Sequence, residues 1–190
     1  MEVEVALKES EELIRDGEFE TAIAILQSVL AEDPRNLEAL RHLGVAFTES
    51  GRNREAISTI EFYLTMDSEN AQAYEAIGCA HLRLDEYKQA EEHLQQAHEL
   101  DPDNSTIMRN LSVLYSQTSR PKQSLEYLER SYELNSDDYL TQYALASAYL
   151  YYGRREEAKT LLYELLQTDT PETIRRVSQE RYLQLSVNWI

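Results

Sequence analysis

Apolar residues along this chain recur at i, i+3, i+4 and i+7, twice in every 34 residues. Leu40, Leu43, Gly44 and Phe47 fall on one stripe, and after Gly51 so do Ala56, Ile60, Tyr63 and Leu64. A stripe at the helical period predicts an amphipathic helix that buries one side. The same chemistry returns without insertion or deletion when counted from Val3, Leu37, Ala71, Ser105 and Tyr139. Position 20 of the block is Ala22, Ala56, Ala90, Ser124 and Ala158; position 24 is Leu26, Ile60, Leu94, Leu128 and Leu162. Position 15 is Gly17, Gly51, Asp85, Ser119 and Gly153. One helix pair cannot cover its own apolar face, so a fixed period of this length predicts stacked units that complete each other's core. The expected blocks are 3–36, 37–70, 71–104, 105–138 and 139–172, forming one elongated domain. A last helix over 173–190 carries the stripe Ile174, Val177, Tyr182, Leu185 and Trp189.

The block boundaries have their own chemistry. Asn36, Asn70, Asn104 and Asp138 stand just before new helices, where a short polar side chain accepts from an orphan N–H. Pro34, Pro102 and Pro171 fall where a helix has to end, whereas Pro121 suits the first turn of a helix. Gly44 and Gly78 at position 8, with Ala56 and Ala90 at position 20, let two helix backbones approach closely.

The combination Leu43-Gly44, Phe47, Gly51, Ala56 and Tyr63, repeated every 34 residues, resembles the tetratricopeptide repeat. The resemblance implies an all-α, right-handed superhelical α-solenoid of antiparallel helix pairs. Its first helices would line a concave groove and its second helices face outward, and 173–190 is similar to the capping helix that closes such arrays. The family's frequent Trp at position 4 is replaced by Ala6, Leu40, Tyr74, Met108 and Gln142. The fourth block departs most, with Ser112, Ser119, Ser124 and Ser131 where Gly or Ala usually stand. Buried hydroxyls need partners, so this block is expected to open more readily than its neighbours.

Charge narrows the choice of partner. With 18 Lys and Arg against 35 Asp and Glu, the net charge is −17, which repels phosphate backbones and argues against nucleic acid. The acid is concentrated up to Asn104, with 24 acidic and 8 basic residues against 11 and 10 in the remainder. Most of it reads as a solvated face; steering of a basic partner is the other reading. Cys79 is the single cysteine, so no disulfide framework is expected. The start Met1-Glu2-Val3-Glu4-Val5 lacks the form of a secretory signal, and no apolar run is long enough for a membrane span. A cytoplasmic protein is expected.

Catalytic chemistry is not evident. The five glycines all fall at positions 8 or 15 of the block, so none is left for a phosphate-cradling loop. His93 and His98 are five apart, about 140° around a helix, and do not converge as metal ligands. His81 occupies an aromatic packing position and reads as a hydrogen-bonded, semi-buried side chain. Cys79 has no histidine placed to activate it. Neither enzyme activity nor a metal or cofactor is expected.

The resemblance also implies which residues face the groove, namely positions 2, 5, 6, 9, 12 and 13 of each first helix. Position 5 gives Leu7, Arg41, Glu75, Arg109 and Tyr143; position 13 gives Arg15, Glu49, Arg83, Gln117 and Tyr151. Position 9 gives Glu11, Val45, Cys79, Val113 and Ser147, and position 12 includes Leu82 and Leu150. The charged rows either pair internally along the stack or hold a partner's carboxylates, while Val45, Cys79, Leu82 and Val113 take apolar anchors. The Lys and Asn set with which some chaperone adaptors clamp a terminal carboxylate is absent in every window. Ten of the thirteen tyrosines lie from Tyr115 onward, and Tyr143 and Tyr151 are the aromatic contacts expected. The reading is a non-enzymatic adaptor that binds a peptide or helix of a partner protein in the groove. The alternative is a structural scaffold that self-associates through the last repeat and the stripe Leu185, Trp189 and Ile190.

Overall fold

The computed structural model describes residues 2–186; Trp189 and Ile190 lie outside the described residues. It is all-α, with eleven helices among those residues: α1 (Val3–Arg15), α2 (Phe19–Glu32), α3 (Leu37–Glu49), α4 (Asn53–Leu64), α5 (Ala71–Arg83), α6 (Tyr87–Leu100), α7 (Ser105–Gln117), α8 (Pro121–Leu134), α9 (Tyr139–Tyr151), α10 (Arg155–Gln167) and α11 (Glu172–Ser186). None is long and apolar enough to cross a membrane. The helices divide into two compact units, Met1–Pro102 and Asp103–Ile190. Nearly all of the net negative charge belongs to the first of these units.

Each odd-numbered helix from α3 to α9 starts behind the cap read from sequence. Asn36 Oδ1 accepts from Ala39 N at 2.9 Å, Asn70 Oδ1 from Ala73 N at 3.0 Å, and Asn104 Oδ1 from Thr106 N at 3.1 Å. Asp138 Oδ1 accepts from Leu140 N at 3.2 Å. The even-numbered helices from α2 to α10 have no such cap. Three of them start instead at an arginine folded over the aromatic ring five residues earlier: Arg52 over Phe47, Arg120 over Tyr115 and Arg154 over Tyr149, at 4.6, 4.4 and 3.8 Å. The third pair replaces this contact with His81 Nδ1 against Glu86 Oε2 at 2.7 Å.

All five residues at position 15 have positive φ, and two of them are not glycine: Asp85 at 58° and Ser119 at 57°. Asp85 recovers part of the cost by accepting from Tyr87 Oη at 2.9 Å. Ser119→Gly removes a Cβ from the left-handed region and is expected to raise the stability of the second unit by about 1 kcal/mol. Urea unfolding of the variant checks this.

In the first unit, Leu26, Leu43 and Phe47 centre one core cluster and Ile60 with Ile77 another. In the second, Leu128, Leu145, Leu162 and Leu165 are buried together, with Tyr182 and Leu185 of α11 packed against them. Leu185 is therefore half-buried in its own unit's core, and Tyr182 packs beside Tyr163 with ring centres 5.8 Å apart.

The four histidines all belong to the first unit. Burial holds the pKa of His42 and His93 below the ordinary histidine range, helped by Arg41 and by His81 respectively. The unfolded chain then binds protons first as pH falls. Their contribution is full above the ordinary histidine range and declines as pH drops through it toward the folded value. Lowering pH from 7.5 to 5.5 should reduce the protection of α3 and α6 amides, once exchange is corrected for its intrinsic pH dependence, while leaving that of α10 unchanged.

Candidate functional site

In the first unit the exposed face of α3 presents Arg41 and Val45, the latter 41% exposed. Arg41 Nη2 lies 2.6 Å from His42 Nε2; with the ring kept neutral, the guanidinium donates and the nitrogen accepts. On α5, Glu75, Cys79 and Leu82 are half-buried and Arg83 is exposed. Arg83 Nη1 donates to the Thr48 carbonyl at 2.9 Å, and Arg15 pairs with Glu11 of its own helix at 3.8 Å. These two arginines thus engage groups other than Glu49, the residue between them in the charged row.

In the second unit, Arg109 of α7 is mostly buried and donates to Asp138 Oδ2 at 2.5 Å. Its guanidinium holds the carboxylate that caps α9, a structural task that sequence spacing did not reveal. Tyr143 is half-buried beneath Arg181, whose guanidinium carbon lies 5.1 Å from the ring centre. Tyr151 is 73% exposed and meets Tyr152 edge-on at 5.1 Å.

Between α7, α8 and α9 a cleft of about 660 Å³ opens. Val113, Ser116 and Gln117 come from α7, Ser124 and Leu128 from α8, and Ala144, Ser147, Ala148 and Tyr151 from α9. The space follows from small side chains at facing positions on α7 and α9. The serines of the fourth block are partly satisfied by backbone: Ser112 Oγ donates to Arg109 O at 2.6 Å and Ser131 Oγ to Ser105 O at 2.8 Å. With these two hydroxyls satisfied, desolvation gives less reason for this block to open early, and the cleft on its flank gives another. Amide exchange along α8 should be faster than along α10, and slower exchange would contradict this.

Arg181 was not among the residues expected at the site. It lies 34 residues after Ser147, and its Nη1 donates to Ser147 Oγ at 2.7 Å. Continuing the period past residue 172 would have placed it in the row of Val113 and Ser147.

Two tetratricopeptide repeat models match the chain, over residues 13–77 and 69–137. The chain belongs to the tetratricopeptide repeat family. No curated protein matches it in sequence. Its fold is similar to that of a thermophilic TPR protein of Thermus thermophilus, with 19% identity, 95% and 98% of the two chains covered and a TM-score of 0.79. It is also similar to Pseudomonas aeruginosa PilF, with 21% identity, 96% and 87% coverage and a TM-score of 0.80. YrrB, described as a TPR protein with an unusual peptide-binding site, matches at 19% identity, 92% and 90% coverage and a TM-score of 0.65. At these identities the likeness concerns the fold.

Proposed function

We propose that this chain is a non-catalytic adaptor that holds a peptide or helix of a partner protein against its odd-numbered helices. The observation that supports it best is the cleft of the second unit, open beside the exposed Tyr151 ring. A concave site with an apolar floor and an aromatic rim suits a side chain of another protein. In the first unit Arg41, Val45 and Arg83 offer exposed cation and apolar contacts, with Glu75, Cys79 and Leu82 beside them. That a like-folded protein has a peptide-binding site is in keeping with this reading.

Affinity capture tests it by comparing wild type with Val113→Asp/Tyr151→Ala and with Arg41→Glu/Arg83→Glu. A prey retained by wild type and lost by either folded variant is expected. Equal recovery by all three would contradict the reading.

The second reading, self-association through the C-terminal helices, draws on Leu183 of α11 and Tyr163 of α10, which are 55% and 51% exposed. Light scattering across a concentration series decides it: a constant monomer mass rejects the scaffold, and a mass that rises and is reset by Leu183→Glu supports it.

A further inference from the structure

We propose that the cleft of the second unit receives an uncharged apolar side chain, and that Arg181 at its rim receives an acidic side chain of the same partner segment. The proposal rests on the adaptor reading and specifies the partner's chemistry.

The cleft is neutral in a highly charged chain. Asp, Glu, Lys and Arg make up 28% of the residues, yet none lines it. Its floor includes Leu128 and Ala148. Two wall hydroxyls spend their protons on backbone: Ser112 on Arg109 O at 2.6 Å and Ser147 on Tyr143 O at 2.9 Å. Ser116, Ser124 and Gln117 add further polar groups to the walls, but no cation there offsets the cost of desolvating a carboxylate, which leaves an aliphatic or aromatic group as the better occupant.

The rim supplies what the walls lack. Arg109, Arg130, Arg154 and Arg175 of this unit each pair with a carboxylate. Arg181 is held differently, half-buried on two neutral groups: the Ser147 hydroxyl at 2.7 Å and the Tyr143 ring at 5.1 Å. A guanidinium has five N–H donors and the hydroxyl takes one, so a partner's carboxylate can be received by the others. Ser147 joins the two features, since it lines the cleft and accepts from Arg181. A segment with an apolar residue a few positions from Asp or Glu satisfies both. This runs against the chain's net charge of −17, whose long-range field favours a basic partner.

Selection of a random twelve-residue peptide library displayed on phage, run against wild type, Arg181→Gln, Arg181→Lys and Ala148→Leu, separates these preferences. Wild type should enrich peptides that place Leu, Ile, Met or Phe within four residues of Asp or Glu. Arg181→Gln should lose the acidic preference and bind the wild-type peptides about tenfold more weakly, the size of one charge-assisted contact, with Arg181→Lys between them. Ala148→Leu, which fills the cleft, should lose the apolar anchor. Circular dichroism melts confirm folding, and if Arg181→Gln alone melts early, the Arg181→Lys variant and weakening of wild-type binding by salt report the charge. Enrichment of basic peptides, or binding indifferent to Arg181→Gln and Ala148→Leu, overturns the proposal. If such indifferent peptides compete at Val45 and Arg83, the adaptor reading survives; if no peptide is enriched on any form, both fail.

Discussion

Replacing Gly78 by valine is expected to destabilise the first unit by about 3 kcal/mol or more. Gly78 lies within α5, where a Cβ would stand 2.6 Å from Leu94 Cγ, 2.9 Å from Leu94 Cδ2 and 3.2 Å from the Leu94 backbone nitrogen. Leu94 is fully buried, so its side chain has little room to turn away, and its backbone nitrogen stays close whatever rotamer it takes. Overpacking of this kind typically costs about 1–3 kcal/mol, and a β-branched side chain adds bulk on both sides. Gly44 makes the comparison. There a Cβ meets only side-chain atoms of Ile60, at 2.7 and 3.2 Å, and alanine gains about 1 kcal/mol of helix propensity over glycine. Gly44→Ala is therefore expected to stay within about 1 kcal/mol of wild type, while Gly78→Val loses protection in α5 and α6. Urea unfolding read by amide exchange compares them; equal losses would mean that the helices move apart freely.

Asp138→Ala is expected to destabilise the second unit by about 3 kcal/mol. The carboxylate caps α9 through Leu140 N at 3.2 Å, accepts from Thr141 Oγ1 at 2.6 Å, and receives Arg109 Nη1 at 2.5 Å. Loss of a cap alone costs about 1 kcal/mol. The remainder comes from Arg109, which stays mostly buried with its charge unmatched; about 3–5 kcal/mol applies to a fully buried pair, and the residual exposure of both side chains lowers it. Asp138→Asn keeps a cap and removes the charge, so it should fall between wild type and alanine. If asparagine is as stable as wild type, the Arg109 contact contributes little.

These two sites show what the sequence could and could not convey. Gly78 was legible because close approach of helices needs a small residue at a fixed position of the period, and that constraint is local to each pair. The caps were legible for the same reason: Asn36, Asn70 and Asn104 act within three residues of themselves. The use of Arg109 was not, because its partner is 29 residues away and depends on how α7 meets the start of α9. Arg109 was read as either pairing within its charged row or holding a partner's carboxylate, and it holds Asp138, which lies outside that row. The arginines over Phe47, Tyr115 and Tyr149 escaped notice although they keep a constant five-residue spacing. Arg181 was hidden by stopping the count at Glu172. The division into two compact units follows the packing of whole helices, and the period has no feature that marks it, although the charge imbalance changes near the same place.

The adaptor reading comes down to which face of the helices touches another protein. A photoreactive benzoylphenylalanine placed in turn at Val45, Val113, Glu126 and Thr160, in cells that make the protein, reports this. Val45 and Val113 stand on exposed positions of α3 and α7, whereas Glu126 and Thr160 are exposed on α8 and α10. Adducts with another protein from Val45 or Val113, and none from Glu126 or Thr160, are expected. Adducts from Glu126 and Thr160 alone, or only between copies of this chain, would contradict it.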